Sequence, residues 1–429
     1  MKYLAYPRDE KEIRKRLFTH GREDPDIIHS VQNIIDEVRS KGSEAVLSFT
    51  RKFDGVKLME DDLQIPEKKM REAWDQLDSE IQTAIETAAA RIRRFHEPQK
   101  PESYELTEDD ETSLQFRVSP LHSAGLYVPG GTAAYPSSLL MNAIPARIAG
   151  VKDIVIVTPP GKEGEDNQLI IGTAWYLGIK RIFRVGGAQA VAALAFGAGP
   201  IPKVDKVVGP GNAYVAAAKR LLYGTIDIDM IAGPSEILVI ADASSSTPFV
   251  VADLLSQAEH DALAVPVLIH VGEMDREFFE KELERQIAKS PRKDFIRKSL
   301  EGQGTVVTVE NRKQAVEIAN LKAPEHLEVI TKDPEELVPQ LENAGAIFVG
   351  AYTPEPIGDY VAGPNHVLPT LGTARFFSPL SVTSFMKSTS ILKFGKTGFR
   401  NLAGHAIRIA EEEGLNAHAE AVRIRLDNI

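Results

Sequence analysis

From about residue 125 onward the chain alternates short apolar, β-branched runs with amphipathic stretches of helical length, and this alternation restricts the fold more than any other feature. Strands are expected at Asp153 to Thr158, Arg181 to Val185 and Lys206 to Val208, with helices near 167–178, 187–196 and 212–223 between them. A second series predicts strands at Ile237 to Ile240, Pro266 to Val271, Thr305 to Val309, His326 to Ile330 and Ala346 to Val349. Its helices fall near 248–260, 274–289, 311–320 and 334–343. Strands that alternate with helices form parallel sheets through crossover connections, so two α/β units of comparable size are the simplest account.

The two ends read differently. Pro25-Asp26-Ile27-Ile28 opens a helix with apolar residues at Ile27, Val31, Ile34, Ile35 and Val38, and Ile65 to Phe95 predicts a second, longer one. From about Phe377 the chain turns helical at Leu402 to Glu413 and again after Asn416, as an appendage too small to bury a core of its own. Such a tail is expected to pack on another domain or another subunit.

Composition narrows the chemistry. A net charge of −11 argues against nucleic acid, whose binding relies on clustered Lys and Arg, and leaves small molecules as the expected ligands. No apolar run is long enough to span a bilayer, and the start, Met1 to Glu10, is too polar for a signal peptide, so the cytoplasm is the expected compartment. The chain has no cysteine, which removes thiolate nucleophiles, disulfides and thiolate-held metal clusters. Any metal must sit on nitrogen and oxygen ligands. Six of the ten histidines lie after residue 250, so ligands are sought there.

Three glycine turns mark the first series: Tyr127-Val128-Pro129-Gly130-Gly131, Val185-Gly186-Gly187-Ala188-Gln189 and Val208-Gly209-Pro210-Gly211-Asn212. The last two stand where a predicted strand ends and a helix begins, the place where open α/β sheets bind ligands. None is the dinucleotide fingerprint, since Tyr214 occupies the place of its third glycine, and tight-turn geometry explains such turns equally well. Gly395-Lys396-Thr397 imitates the end of a P-loop, but Ser390 stands where the leading glycine belongs.

Acid, base and metal candidates cluster later. Gln257 and His260, three apart on a predicted helix, would place their Cβ atoms roughly 5–6 Å apart, close enough to share an ion. Such a pair is more often an ordinary solvated helix face than a ligand pair. Glu325-His326 stands between a helix and a strand and offers two proton acceptors of different basicity, although neighbours on a strand point to opposite faces. Gly358-Asp359 and Gly363-Pro364-Asn365-His366 form a polar, glycine-bounded loop in which Asp359 is a metal ligand or a turn residue. No H-E-x-x-H motif occurs.

Taken together, these residues resemble the histidinol dehydrogenase family. Ile228-Asp229-Met230-Ile231-Ala232-Gly233-Pro234-Ser235-Glu236 looks like that family's signature. The glycine turns, Gln257 to His260, Ala323 to Leu327, Gly358-Asp359, Glu413 and His418 follow in the family's order. The resemblance implies two incomplete Rossmann-like parallel-sheet domains with helical N-terminal and C-terminal extensions. Its expected divisions are an arm over 1–22, a metal and acid/base domain over 23–126 and 237–376, an NAD-binding domain over 127–236, and a dimer-forming tail over 377–429.

The same resemblance implies a zinc-dependent oxidation of L-histidinol through bound L-histidinal to L-histidine, with two NAD reduced. Gln257, His260, Asp359 and His418 would bind zinc, and Glu325 and His326 would accept protons. Ser235, His326 and Glu413 would contact substrate along with the zinc-ligand positions, while Tyr127, Gln189 and Asn212 would contact NAD. A homodimer with shared sites is implied. Asp261 and His366 carry no expected role.

The residues constrain the mechanism independently of the resemblance. Aldehyde oxidation commonly proceeds through a cysteine thiolate, and here a base must instead activate water beside the carbonyl. The N/O ligand set and Glu325 would equally suit a zinc hydrolase or lyase, and a non-catalytic metabolite-binding protein is the third alternative.

Overall fold

The computed structural model describes residues 1–18, 24–130, 135–161 and 163–429, which divide into two compact units. The larger, residues 1–99 and 122–385, contains two parallel sheets. Five strands form one in the order Arg181–Arg184, Asp153–Thr158, Ser123–Tyr127, Lys206–Val208, Asp227–Ile228. The chain builds it outward from Ser123–Tyr127 to Arg181–Arg184, then returns to the other side, so the topology switches between Tyr127 and Lys206.

The other sheet has six strands in the order Lys2–Ala5, Thr305–Val309, Val265–Val271, Glu236–Asp242, His326–Ile330, Ala346–Val349. Its switch lies between Glu236–Asp242 and His326–Ile330, whose register pairs His326 with Ile237. Glu236–Asp242, Val265–Val271 and His326–Ile330 are almost wholly buried, which is why they read as unbroken apolar runs.

The helical N-terminal region serves both sheets. Lys2–Ala5 closes an edge of the six-stranded sheet, and Ile13 and Leu17 of the helix Glu10–Leu17 enter that sheet's core, so the expected arm belongs to it. The helix Pro25–Lys41, capped by Asp24 on the Asp26 N–H, turns Val31, Ile34, Ile35 and Val38 into the five-stranded sheet's core. The expected boundary at residue 126 thus cuts a strand, and residues 31–63 pack with the five-stranded sheet rather than the six-stranded one.

Local chemistry accounts for the other differences. The expected helix from Ile65 to Phe95 is two, Glu67–Gln76 and Ser79–His96, because Asp78 takes the Glu80 N–H and starts the second. Over 334–343 there are two short 3-10 turns, Pro334–Glu336 and Val338–Gln340, because Pro339 lacks the N–H that a helix needs. An additional helix at Lys293–Gly302 buries Ile296, Ser299 and Leu300.

The smaller unit joins Lys100–Leu121 to Met386–Ile429. Met386–Lys393 runs antiparallel to Ser113–Pro120, which pairs in turn with Tyr104–Thr107. The helices Lys396–Glu412 and Asn416–Leu426 pack on each other. The tail therefore has partner strands from residues 104–120, a stretch expected to belong to an α/β domain.

Candidate active site

Side chains gather on the edge of the six-stranded sheet where its strands begin. A crossover helix runs antiparallel to its strands, so the C-terminal ends of Thr247–Ala258 and Arg312–Lys322 come to the edge where Glu236 and His326 start theirs. Gln257 lies in the last turn of the first helix, and Lys322 ends the second. This is the opposite edge from the one where open α/β sheets usually bind ligands.

The main chain of Glu236 organises the acid and base. Its N–H donates to Glu325 Oε2 at 2.8 Å, and its carbonyl accepts from His326 Nδ1 at 2.9 Å. Glu325 immediately precedes the strand, so its side chain escapes the strict alternation and meets the same peptide as its neighbour. His326 Nε2 is buried and has no hydrogen-bond partner among the described residues. It faces Asp359 Oδ1 at 3.6 Å and Glu355 Oε1 at 4.0 Å.

Burial pushes the Glu325 carboxyl up to about 7, with the His326 charge opposing. Burial also resists protonation of His326, but Glu325, Asp359 and Glu355 outweigh it and push the imidazole up to about 10. Burial acts against the Asp359 charge as well; His326 and His366 nonetheless hold that carboxyl well below the usual range.

His326, Glu355 and Asp359 bring one ligand atom each to within 4.8 Å of one another. Asp359 stands in the π-helical turn Gly358–Ala362, with His366 Nδ1 on its carbonyl at 3.0 Å, so His366 helps to hold that turn. Glu355, absent from the sequence candidates, is buried, and its carboxyl is pushed up to about 8 by burial and then by Asp359. Ser256 Oγ donates to Glu355 Oε2 at 3.2 Å, fixing the helix that carries Gln257 to this cluster. A signal was present: Glu355 and Asp359 are four apart, the spacing of one helical face.

Gln257 and His260 correct the expected helix pair. The helix ends at Ala258, and His260 lies in the turn beyond, its N–H on the Gln257 carbonyl at 3.2 Å. Arg292 holds this turn through the Glu259 carbonyl at 2.8 Å. His260 is exposed at the chain surface, but partial desolvation still lowers its imidazole pKa, and the charges of Asp359 and His326 both reach it. Gln257 is 1% exposed and its Oε1 has no partner among the described residues. An orphaned amide oxygen costs about 1–3 kcal/mol, so a buried Gln257 oxygen on the helix that Ser256 ties to Glu355 suits a cation ligand.

Ser235 is half-buried beside Glu236. Asp261 Oδ1 accepts the Leu263 N–H at 2.8 Å and so closes a turn. Glu413 and His418 belong to the smaller unit, where Glu413 ends one helix and His418 lies in the first turn of the next, both exposed.

The glycine turns meet at the carboxyl ends of the five-stranded sheet. Tyr127 ends its strand beside the switch point; its hydroxyl accepts the Gly187 N–H at 3.1 Å, and burial pushes its pKa up to about 12. Gly209, with φ +114°, passes so close that an added Cβ would lie 2.2 Å from the Tyr127 carbonyl oxygen. Gln189 is buried in the first turn of Gly187–Phe196. Asn212 Oδ1 caps Ala213–Leu222 through the N–H groups of Tyr214 and Val215 at 3.0 and 3.2 Å, which directs its amide NH2 elsewhere. Gly131 lies outside the described residues.

A topological switch point ringed by glycine turns on one parallel sheet, and a buried acid/base and carboxylate cluster on another, mark the chain as an enzyme of the α/β class. A family model for histidinol dehydrogenase matches residues 19–426. The histidinol dehydrogenase of Heliobacterium mobile is 47% identical over 405 residues, covering 94% of this chain and 95% of that protein. That of Geobacter metallireducens is 50% identical over 401 residues, covering 92% and 91%. The crystal structure of histidinol dehydrogenase from Elizabethkingia anophelis superposes with a TM-score of 0.93 at 35% identity, covering 100% of this chain and 98% of that one.

The chain belongs to the histidinol dehydrogenase family, an oxidoreductase family of histidine biosynthesis. Among the described residues no helix is long and apolar enough to cross a membrane.

Proposed function

We propose that this chain oxidises L-histidinol to L-histidine through bound L-histidinal, reducing two NAD in two hydride transfers. The observation that carries this reading is the convergence of Glu325 and His326 on one peptide, beside Asp359 and Glu355, in a chain without cysteine. Zinc is held by Gln257, His260, Asp359 and, from the tail, His418; the orphaned Gln257 oxygen supports its share. When bound, the ion supplies a fixed positive charge that orients the substrate's imidazole and amine and offsets the carboxylates that otherwise keep His326 protonated. NAD supplies the hydride acceptor.

The chain's own groups carry the proton chemistry. His326 Nδ1–H is committed to the Glu236 carbonyl, so Nε2 takes the alcohol proton in the first oxidation. Glu325 takes a proton from the water that adds to the aldehyde before the second. Ser235 and Glu413 position the substrate with the zinc-ligand side chains, and Tyr127, Gln189 and Asn212 line the cofactor site.

Residues 127–236 form the NAD-binding part, and the six-stranded sheet carries the metal and acid/base groups. The tail forms a homodimer and lends Glu413 and His418 to the partner subunit's site. The enzyme works in the cytoplasm.

Absorbance of NADH with histidinol and NAD tests the whole reading, with two NADH expected per histidinol consumed. No NADH would reject it, and a stoichiometry of one would reject the second oxidation. Dialysis against a chelator should abolish activity and added zinc restore it. If Glu325→Gln oxidised supplied histidinal as fast as the parent, the water-activating role would be wrong.

A further inference from the structure

The connection from the helix Arg312–Lys322 to the strand His326–Ile330 grips a single residue three times. Lys322 Nζ lies 2.6 Å from Glu236 Oε1, with both side chains buried. Glu325 takes the Glu236 N–H, and His326 takes the Glu236 carbonyl. The carboxylate, N–H and C=O of Glu236 are thus each engaged by a different residue within a five-residue stretch.

A buried ion pair is a poor source of stability. Several kcal/mol of desolvation per ion offset its attraction, and well-packed apolar replacements are often neutral or stabilising. Lys322 does gain from ending a helix, where a cation is favoured, but that gain needs no buried partner. The pair's place beside the acid and base points to orientation as its role.

We propose that Lys322 is a positioning residue for the oxidation. By holding the Glu236 carboxylate it fixes the Glu236 peptide, and through that peptide it fixes the aim of Glu325 and the tautomer of His326. Glu236 Oε2 already lacks a hydrogen-bond partner among the described residues. Removal of the ammonium would strip the carboxylate's other oxygen of its partner too, and the Glu236 side chain would turn to find new ones. The peptide would turn with it. The proposal rests on the reading of Glu325 and His326 as proton acceptors.

Lys322→Met keeps the length of the side chain and removes its charge, and Glu236→Gln is the milder second variant should the first fold poorly. Both are compared with Glu325→Gln and His326→Asn by kcat and KM for histidinol and NAD, normalised to folded enzyme, alongside thermal unfolding. In Lys322→Met, kcat should fall about 10- to 100-fold, the loss that a misplaced catalytic group produces, while KM for NAD stays within about twofold. Lys322→Met added to Glu325→Gln and His326→Asn together should slow the enzyme no further than those two alone, because the lysine acts through both bases. A merely structural lysine would lower the melting temperature and leave kcat intact. Unchanged kcat in Lys322→Met and Glu236→Gln, with Glu325→Gln and His326→Asn inactive, overturns the positioning role and leaves the bases standing. Full activity in Glu325→Gln and His326→Asn overturns the reading beneath it.

Discussion

Replacing Gly209 with alanine probes the turn at the switch point of the five-stranded sheet. Two penalties add. At φ +114° a side chain is strained, by about 1–3 kcal/mol. The new Cβ would also lie 2.2 Å from the Tyr127 carbonyl oxygen and 3.1 Å from its carbon, and overpacking of this kind costs about 1–3 kcal/mol. The sum is on the order of 2–6 kcal/mol.

Gly224→Ala separates the two, because Gly224 has φ +95° with nothing within 4 Å of an added Cβ, so only the backbone penalty applies. Relief in Gly209→Ala requires the turn to move off Tyr127, which disturbs the Gly209 N–H bond to Asp229 at 2.8 Å and shifts Asn212 three residues on. Each 1.4 kcal/mol of lost cofactor binding is about tenfold, so KM for NAD should rise about tenfold or more in Gly209→Ala and stay within about twofold in Gly224→Ala. Initial rates of NADH formation at saturating histidinol, with thermal unfolding of both variants, provide the assay. The same NAD dependence and melting temperature in the two variants would show that close approach to Tyr127 does not shape the turn, and the reasoning would fail.

Asp54 caps the helix Ser43–Phe53 at its C-terminal end with a buried, unpartnered Oδ2 among the described residues, and burial pushes its carboxyl from 3.8 up to about 6. A raised pKa gives stability that is full below the unfolded value and lost as pH rises through the folded one. Asp54→Asn should therefore gain roughly 1 kcal/mol over the parent at pH 8, after allowance for screening at a part-exposed site, and nothing below about pH 4; urea unfolding at both values checks the sign. Arg184 forks onto Asp166 at 2.6 and 2.7 Å with both side chains buried, so Asp166→Ala, which strands a buried guanidinium, should cost about 3–5 kcal/mol in the same assay. A loss under about 1 kcal/mol would mean that solvent reaches the arginine. Inactive Gln257→Ala and His418→Ala variants, mixed and allowed to exchange subunits, should recover up to about a quarter of parental activity, because half the dimers are hybrids with one intact site. No recovery despite measured exchange would place each site within one chain.

What could be read in advance follows burial. Asp153–Thr158, Lys206–Val208, Thr305–Val309 and His326–Ile330 match their expected limits because strands buried on both faces leave apolar runs bounded by turns. Tyr104–Thr107, Ser113–Pro120 and Met386–Lys393 show no such run: their residues are exposed or half-buried throughout, so no face alternates and no period appears. Within the site, Gln257 lies on the helix where it is expected, but nothing local marks Ala258 as the end of a helix that His260 was expected to share. Glu355 escaped notice because a glutamate between two prolines reads as loop, and its burial depends on the distant Glu328, whose Oε1 accepts the Glu355 N–H at 2.7 Å.

The segment from Asp229 to Glu236 ties the Gly209 turn of one sheet to the acid/base pair of the other. At its start, Asp229 Oδ2 holds the Gly209 N–H at 2.8 Å, while the buried Lys219 reaches both the Asp229 carboxylate and the Gly209 carbonyl, so the glycine turn is gripped from both sides. At its end, Glu236 holds Glu325 and His326. Midway, the Gly233 N–H donates to Thr370 Oγ1 at 2.7 Å, and a Cβ there would lie 2.6 Å from the Leu371 side chain, so the segment is pinned where it crosses. Seven residues fully extended reach at most about 25 Å, which bounds the distance between the two anchors. Hydride transfer needs cofactor and base at one substrate carbon, and two sheets with separate cores meet that need only if the chain between their anchors is short and fixed. The segment carries the anchors of both the Gly209 turn and the Glu325 and His326 pair, so a change in its length would disturb both at once.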